Sequence, residues 1–152
     1  MTQPSLFGET SGTDLAEIVV YCDGGSRGNP GPAAIGAVVL DPAHDPPRRL
    51  ATVSERIGIT TNNVAEYRAL IAGLEAAAPY RARRVRVRAD SKLVVEQVAG
   101  KWKVKQAHLR PLRDEARALL AAYAEVDIRH VPRAENADAD ALVNAALDAP
   151  GD

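Results

Sequence analysis

The sequence predicts one α/β domain of the mixed α+β kind, in which helices flank a mixed β-sheet. Two runs rich in Val and Ile, residues 17–23 and 34–41, stand on either side of a turn rich in Gly, Asn and Pro, and a third β-like run covers 50–59. Helical and β-like segments then alternate in the order βββ-α-β-α-α-β-α. The consecutive strands favour antiparallel pairing and the later alternation favours parallel pairing, so we expect five strands in a mixed sheet.

The segments after residue 60 are assigned by periodicity and by the residues that end them. Apolar residues recur at helical spacing over 63–78, and Pro79 ends this helix. Val85 and Val87 alternate with arginines, which predicts a half-buried strand. The remaining predicted elements are helices over 91–98 and 109–123, a strand over 126–131 and a helix over 136–147.

Length and composition indicate one domain that needs no disulfide. The chain has 152 residues, which is most simply one domain; we place it at 16–149, because residues 1–15 are polar and typical of a disordered tail. Cys22 is the only cysteine, and we expect it to be a small buried apolar side chain in a reducing compartment. We find no membrane-spanning run and no signal-peptide pattern, so we expect a cytoplasmic monomer.

The net charge of −1 gives no sign of a strongly basic nucleic-acid-binding protein. Two local runs of basic residues are nevertheless present, and such patches can bind a phosphate backbone. The alternative is solvated charge on helix and strand faces. The runs comprise Arg81, Arg83, Arg84, Arg86 and Arg88, and Lys101, Lys103, Lys105, His108, Arg110 and Arg113.

Four carboxylates occupy positions from which they could form one site. Asp23 and Asp90 each follow an apolar strand, Glu66 is expected in the first turn of a helix, and Asp140 lies in the last helix. Strands that end at one sheet edge bring their terminal side chains together, and clustered carboxylates repel one another unless cations neutralise them. Hard oxygen ligands favour Mg²⁺ or Mn²⁺, and two such ions can clamp the oxygens of a phosphodiester displacement.

Each of these positions has a simpler structural explanation. Asp23 could be a solvated residue of a hairpin turn. Glu66 could close a capping box with Asn63, three residues earlier. Asp90 or Ser91 could be the N-cap of the following helix.

Two aspartates of the last helix compete for one role. Asp138 and Asp140 are two residues apart, so on a helix they point about 200° from each other and only one can face a shared site. Asp140 has Val143 and Leu147 on its side, whereas Asp138 has Leu142. Periodicity alone does not decide between them.

Four motifs, in this order, resemble those of the type 1 ribonuclease H family. They cover residues 21–32 (YCDGGSRGNPGP), 60–67 (TTNNVAEY), 89–94 (ADSKLV) and 135–144 (ENADADALVN). The resemblance extends over about 17–147 in this chain. Each motif alone is weak, but the four in order at these spacings are specific.

The resemblance implies a ribonuclease H-like fold with a five-stranded mixed sheet. It also implies an endoribonuclease that hydrolyses the RNA strand of RNA–DNA hybrids by a two-metal-ion mechanism, leaving 3′-hydroxyl and 5′-phosphate ends. It assigns two Mg²⁺ ions, for which Mn²⁺ can substitute, and it selects Asp140 over Asp138. The implied catalytic residues and metal ligands are Asp23, Glu66, Asp90 and Asp140.

Substrate contacts are implied on both strands. The turn at 24–28 and Glu66 are expected near the RNA 2′-hydroxyl, and Asn29 near the DNA strand. Trp102 stands among lysines, which suits stacking on a sugar-phosphate strand, although a core Trp is the alternative. The substrate-binding candidates are Gly24, Gly25, Ser26, Arg27, Gly28, Asn29, Thr61, Asn62, Asn63, Ser91, Trp102, Lys103, Lys105 and Arg133.

The chain departs from the common bacterial pattern in two places. Only residues 100–108 fill the place of a long basic insertion, and Arg133 stands where many members carry a loop histidine, while His130 is expected at a strand end. This pattern resembles the archaeal-like branch, which also occurs in actinobacterial proteins. Some relatives in that branch also cut double-stranded RNA. The alternatives are therefore a nuclease that also or mainly cuts double-stranded RNA, or a non-catalytic hybrid-binding module.

The tail contains one further motif. Gln3, Leu6 and Phe7 lie in the sequence QPSLF, which resembles peptides that dock on bacterial sliding clamps. Such a peptide would place its Leu and Phe in an apolar pocket at the end of a flexible tether. Because matches of five residues arise by chance, the alternative is a tail without this role.

Overall fold

The computed structural model describes residues 15–150. In that range the strands are β1 Glu17–Ser26, β2 Gly31–Asp41, β3 Arg48–Thr60, β4 Arg84–Ala89 and β5 Glu125–His130. They form one mixed sheet with the order β3-β2-β1-β4-β5. β1, β2 and β3 are antiparallel neighbours, whereas β4 and β5 run parallel to β1, which confirms the predicted mixed sheet. The clamp-like residues Gln3, Leu6 and Phe7 lie outside the described residues.

Within the described residues, four α-helices cover the two faces of the sheet: α1 Asn62–Ala77, α2 Lys92–Val98, α3 Arg110–Leu120 and α4 Ala137–Asp148. One face packs against α1 and α2, and α3 packs against these two helices in the same core. Part of the other face packs against α4. No helix within residues 15–150 has the length and apolar character needed to cross a membrane.

Side chains that point alternately to the two faces of β1 and β2 contribute to two cores. Val20, Cys22 and Ala37 point toward α1 and belong to the larger core, because successive strand residues face opposite sides of a sheet. Ala34 points the other way and packs with Val143 of α4 in the smaller core. The expectation that Cys22 is a buried apolar side chain is confirmed, since it is 1% exposed.

The first strand is longer than its sequence suggested. The glycine-rich segment was expected to leave the sheet after Asp23, but Gly24, Gly25 and Ser26 still pair with β2. The backbone ladder needs no side chain, so glycines continue it where the neighbouring strand stays in register. The connecting turn is therefore confined to residues 27–30.

The start of α1 also differs from expectation. Thr61 is the N-cap, and its hydroxyl accepts a hydrogen bond from the Val64 amide at 3.3 Å. Asn63 is already inside the helix and Glu66 lies beyond its first turn. The capping-box explanation of Glu66 is therefore wrong, because the threonine hydroxyl satisfies the free amide instead.

Two glycines let helices approach the sheet on both faces. A Cβ atom on Gly24 would collide with the Ala65 carbonyl of α1, and one on Gly36 would collide with the Ala139 carbonyl of α4. Gly36 pairs with Asp23 across the two strands. Both helices therefore contact the backbone of the sheet within one residue of Asp23.

We predict that Gly36→Ala lowers the free energy of unfolding by about 1–3 kcal/mol, because the methyl group must push α4 away from the sheet. Urea denaturation measures this change. Gly25→Ala is the matched control, since its Cβ would meet only Val143 Cγ1 at 3.9 Å, an ordinary contact. Equal stability of the two variants would contradict this account of α4 packing.

Candidate active site

Three carboxylates converge at one edge of the sheet. Asp23 lies in β1, Asp90 directly follows β4, and Glu66 comes from α1. Each offers one oxygen within 4.8 Å of the others. The strand register explains part of this cluster, because Cys22 pairs with Ala89 in the parallel β1–β4 ladder. The next residues along the chain, Asp23 and Asp90, therefore lie side by side.

Glu66 is held in the cluster by the backbone of β1. The Gly24 amide donates a hydrogen bond of 2.7 Å to Glu66 Oε1. The close approach of α1 at Gly24 makes this bond possible, since any larger residue would collide with the helix. One oxygen of the Glu66 carboxylate is thus fixed by the sheet.

Asp140 enters the same cavity from α4. The cavity has a volume of about 540 Å³ and is lined by Asp23, Glu66, Asp90 and Asp140, among others. Asp138, by contrast, has a side chain 75% exposed and lies 3.4 Å from Arg49. The structure therefore turns Asp140 toward the cluster, a choice that periodicity had left open.

Burial and mutual repulsion disfavour the ionised forms of these carboxylates. The pKa of Asp23 rises from 3.8 to about 8, first because of burial and then because of the nearby Asp90 and Asp140 charges. The pKa of Glu66 rises from 4.5 to about 9, first because of burial and then because of Asp23, although its bond from the Gly24 amide acts in the opposite direction. A cation among them would remove this penalty.

The donor set fits a hard divalent cation. All of its side chains are carboxylates, and three of them already lie within 4.8 Å of one another. Oxygen-only donors are those of Mg²⁺, Ca²⁺ and Mn²⁺ rather than of zinc. The raised pKa values of Asp23 and Glu66 indicate that the site lacks a compensating positive charge.

The β1–β2 turn is tied to the start of α1 through Asn62. Asn62 Oδ1 accepts hydrogen bonds from the Ser26 amide at 2.9 Å and from the Ser26 hydroxyl at 3.0 Å. The Asn62 amide donates to Asn29 Oδ1 at 3.1 Å. Gly28 has a φ of 99°, which its missing side chain permits. Three predicted substrate residues, Ser26, Asn29 and Asn62, are thus connected by hydrogen bonds at the edge of the carboxylate cavity.

A second cavity of about 510 Å³ lies beyond α1. Trp102 is 43% exposed there, so the alternative of a core tryptophan is wrong. The Lys92 ammonium lies 6.0 Å from the centre of the indole ring, within reach of a cation–π contact. The lining residues are Asn63, Leu93, Gln97, Lys101, Trp102, Lys103, Lys105, Gln106 and Leu109.

Two of the predicted substrate residues cap helices. Ser91 accepts a hydrogen bond from the Val94 amide at 3.3 Å and is the N-cap of α2. That result confirms one of the two capping alternatives. Thr61 has the same role in α1. Their hydroxyls stabilise the helices that carry Glu66 and follow Asp90.

The arginines near the cavity and those of β4 lie beside acidic side chains. Arg133 is 81% exposed at the cavity and lies 3.6 Å from Asp140. Arg27 lies 2.7 Å from Asp148 at the end of α4. The strand arginines at 84, 86 and 88 form ion pairs with Glu17 or Asp127, which favours the solvated-face explanation of that basic run. His130 ends β5, as expected.

Sequence reasoning missed three polar residues of this region. Asn144 lines the carboxylate cavity and donates to Asp140 Oδ2 at 3.4 Å. Its position four residues after Asp140 was a usable signal, since such residues share a helix face. Asn136 is 1% exposed and donates to the Cys22 carbonyl at 2.9 Å. Asn136 stands in the fourth motif, although no role was assigned to it there, whereas the buried Gln97 carried no signal in the sequence.

We predict that the metal-free protein loses stability as pH rises from about 5 to about 9. The pKa values of Asp23 and Glu66 in the folded protein lie above their ordinary values. The stabilisation that their neutral forms contribute to the folded state is therefore complete below about pH 4, and it is lost as the pH rises through about 8 to 9. Mg²⁺ should therefore raise Tm more at high pH than at low pH.

Thermal unfolding across this pH range, with a chelator or with Mg²⁺, tests the prediction. Asp23→Asn should flatten the pH dependence, whereas Asp138→Asn, an exposed carboxylate, should leave it unchanged. A metal-free protein that gains stability up to pH 9 would contradict the raised pKa values.

Comparison with known proteins agrees with this geometry. The family model described as "Reverse transcriptase-like" matches residues 21–146. A bifunctional protein of Mycobacterium tuberculosis is 50% identical over 133 residues, which cover 88% of this chain and 36% of that protein. The chain thus spans little more than a third of the length of this mycobacterial relative.

Two further relatives match over most of their own length. A protein of Halobacterium salinarum named ribonuclease HI is 45% identical over 147 residues, covering 91% of this chain and 72% of that protein. The solved structure of LC11-RNase H1 in complex with an RNA/DNA hybrid is 42% identical, with a TM-score of 0.79, and the match covers 86% of this chain and 96% of that one. This chain belongs to the type 1 ribonuclease H family.

Proposed function

We propose that this chain is a ribonuclease H that hydrolyses the RNA strand of RNA–DNA hybrids with two Mg²⁺ ions and leaves 3′-hydroxyl and 5′-phosphate ends. The convergence of Asp23, Glu66 and Asp90 within 4.8 Å carries this proposal. The Halobacterium relative named ribonuclease HI and the LC11 structure with a bound hybrid support it.

The four carboxylates would hold the ions between β1, β4, α1 and α4. When bound, Mg²⁺ lowers the pKa of a water molecule and stabilises charge on the departing oxygen. The protein itself supplies rigidity: the Gly24 amide holds Glu66, and Asn144 contacts Asp140. Carboxylate oxygens fixed in this way need little rearrangement when an ion arrives.

We propose that the RNA strand lies along the carboxylate cavity. Ser26 and Arg27 line it together with the backbone of the two glycines before them. At Gly24, α1 packs directly against the strand. Because these glycines have no side chains to cover the cavity wall, backbone groups of the wall can come close to a sugar. Glu66 lines the same cavity, which suits recognition of a 2′-hydroxyl, the group that separates RNA from DNA.

The other strand would lie in the second cavity. Asn62 lines the carboxylate cavity and Asn63 lines the Trp102 cavity, so the start of α1 separates the two. A duplex has two sugar-phosphate backbones, and one could lie on each side of the start of α1. Trp102, Lys103 and Lys105 would contact the second backbone by stacking and charge.

We predict that Asp23→Asn lowers the rate of hybrid cleavage at least about a hundredfold, because one metal ligand is lost. Hybrid binding measured without metal should change little, and calorimetry should show weaker Mg²⁺ binding. Asp138→Asn makes the same chemical change at an exposed position and should keep full activity. Full activity in Asp23→Asn would refute the assignment of the ligands.

A comparison of three duplexes tests the substrate. With Mg²⁺ present, we expect cleavage of the RNA strand in an RNA–DNA hybrid and none in duplex DNA, because only the former offers 2′-hydroxyls in an accessible minor groove. The products should accept ligation or extension at a 3′-hydroxyl. Faster cleavage of double-stranded RNA would favour the alternative nuclease, and binding without cleavage would favour a hybrid-binding module.

A further inference from the structure

The short segment between α2 and α3 is irregular but firmly attached. Residues 101–106 belong to no helix or strand. The amides of Lys101 and Trp102 nevertheless both donate to the Glu96 carbonyl, at 2.9 and 3.1 Å. The beginning of the segment is therefore fixed to the last turns of α2.

Gln97 fixes the next residue from inside the protein. Its side chain is buried, with the residue 5% exposed, and its Nε2 donates to the Lys103 carbonyl at 3.2 Å. Its Oε1 accepts a hydrogen bond of 2.6 Å from the Tyr67 hydroxyl. Tyr67 is fully buried in α1, directly after Glu66. The buried Tyr67–Gln97 pair thus connects the helix of the carboxylate cluster to the basic segment.

Val104 completes the attachment. Its side chain is 6% exposed and belongs to the larger core, and its carbonyl accepts a hydrogen bond of 3.1 Å from Arg110 Nε. Lys103 and Lys105, on either side of it, are exposed. With one residue anchored inward and its neighbours outward, the segment presents its cations to solvent beside Trp102.

A buried Tyr–Gln pair is not the simplest way to fill a core. Apolar side chains of the same shape would pack there without polar atoms to satisfy, and replacing both partners of a hydrogen bond is often nearly neutral for stability. What apolar residues cannot supply is a directional bond to the Lys103 carbonyl. The contacts of Gln97 therefore fix geometry, which is what a surface that binds a long, rigid duplex requires.

We propose that the Tyr67–Gln97 pair is a positioning device: it holds the Lys101–Lys105 segment at a fixed place relative to Glu66, so that Trp102 and its lysines meet one strand while the carboxylates meet the other. This inference rests on the proposed function, because it assumes that the segment contacts nucleic acid. Tyr67 is fully buried, and Gln97, although it lines the Trp102 cavity, is only 5% exposed, so we assign the effect of both residues to the segment that they hold.

Trp102 makes the position of the segment directly measurable. It is the only tryptophan of the chain, so its emission and its quenching by acrylamide report on this segment alone. Gln97→Met removes both hydrogen bonds of the pair, and Tyr67→Phe removes one. Tyr80→Phe is the matched control, since it also deletes a single bond, the one to the Leu50 carbonyl at 3.1 Å.

We expect Gln97→Met to raise both the quenching constant of Trp102 and the KM for a hybrid, the latter by about fivefold with kcat within about twofold, since a preordered surface becomes mobile. Tyr67→Phe should produce a smaller effect in the same direction. Tyr80→Phe should match the wild type in quenching and KM even where its Tm falls. A simple loss of stability would not change KM selectively.

The outcomes separate this inference from the proposed function. Failure of the wild type to cleave a hybrid refutes the function, while quenching and hybrid Kd, measured without metal, still judge the positioning role. If Trp102 in Gln97→Met has the same quenching constant as in the wild type, the inference is overturned. An unchanged KM or Kd despite altered quenching also overturns it, and so does an equal change in Tyr80→Phe.

Discussion

The site depends on the close approach of two helices to one pair of strands. Gly24 admits α1 from one face and Gly36 admits α4 from the other, and Asp23 lies beside the first and opposite the second. A Cβ atom at either position would collide with a helix carbonyl. Because the contact is between backbones, the distance between the helices and Asp23 is fixed without intervening side chains that could adopt other rotamers.

This closeness has an electrostatic cost that gives the site its chemistry. Carboxylates placed against a sheet edge lose water and face one another, which raises the pKa of Asp23 and Glu66 far above their ordinary values. Such groups are destabilising as charged, metal-free side chains and stabilising as ligands. The same packing that strains the metal-free protein therefore prepares it for divalent cations.

The edge strand β3 holds α4 in register over the sheet. Ser54 donates to the Leu142 carbonyl at 2.7 Å, and Arg56 Nε donates to the Ala146 carbonyl at 2.9 Å. Carbonyls four residues apart lie on one side of a helix, so these bonds fix the rotation of α4 about its axis. That rotation decides which aspartate faces the cavity, and it turns Asp140 inward.

The sequence by itself determined the order and type of the elements and the four motifs, because hydrophobic periodicity and turn residues are local signals. It also predicted that Asp23 and Asp90, which follow apolar strand residues, meet at one sheet edge, although β1 continues beyond Asp23 to Ser26. The resemblance selected Asp140 over Asp138, but only the tertiary structure shows why Asp140 faces the cavity; it also extended β1 through its glycines and gave the cap of α1 to Thr61. It also revealed Gln97, whose partners lie 30 residues before it and 6 after it. Apart from the Thr61 cap, which is a local contact with Val64, these features depend on contacts between separate elements of the fold, which leave no local pattern in the sequence.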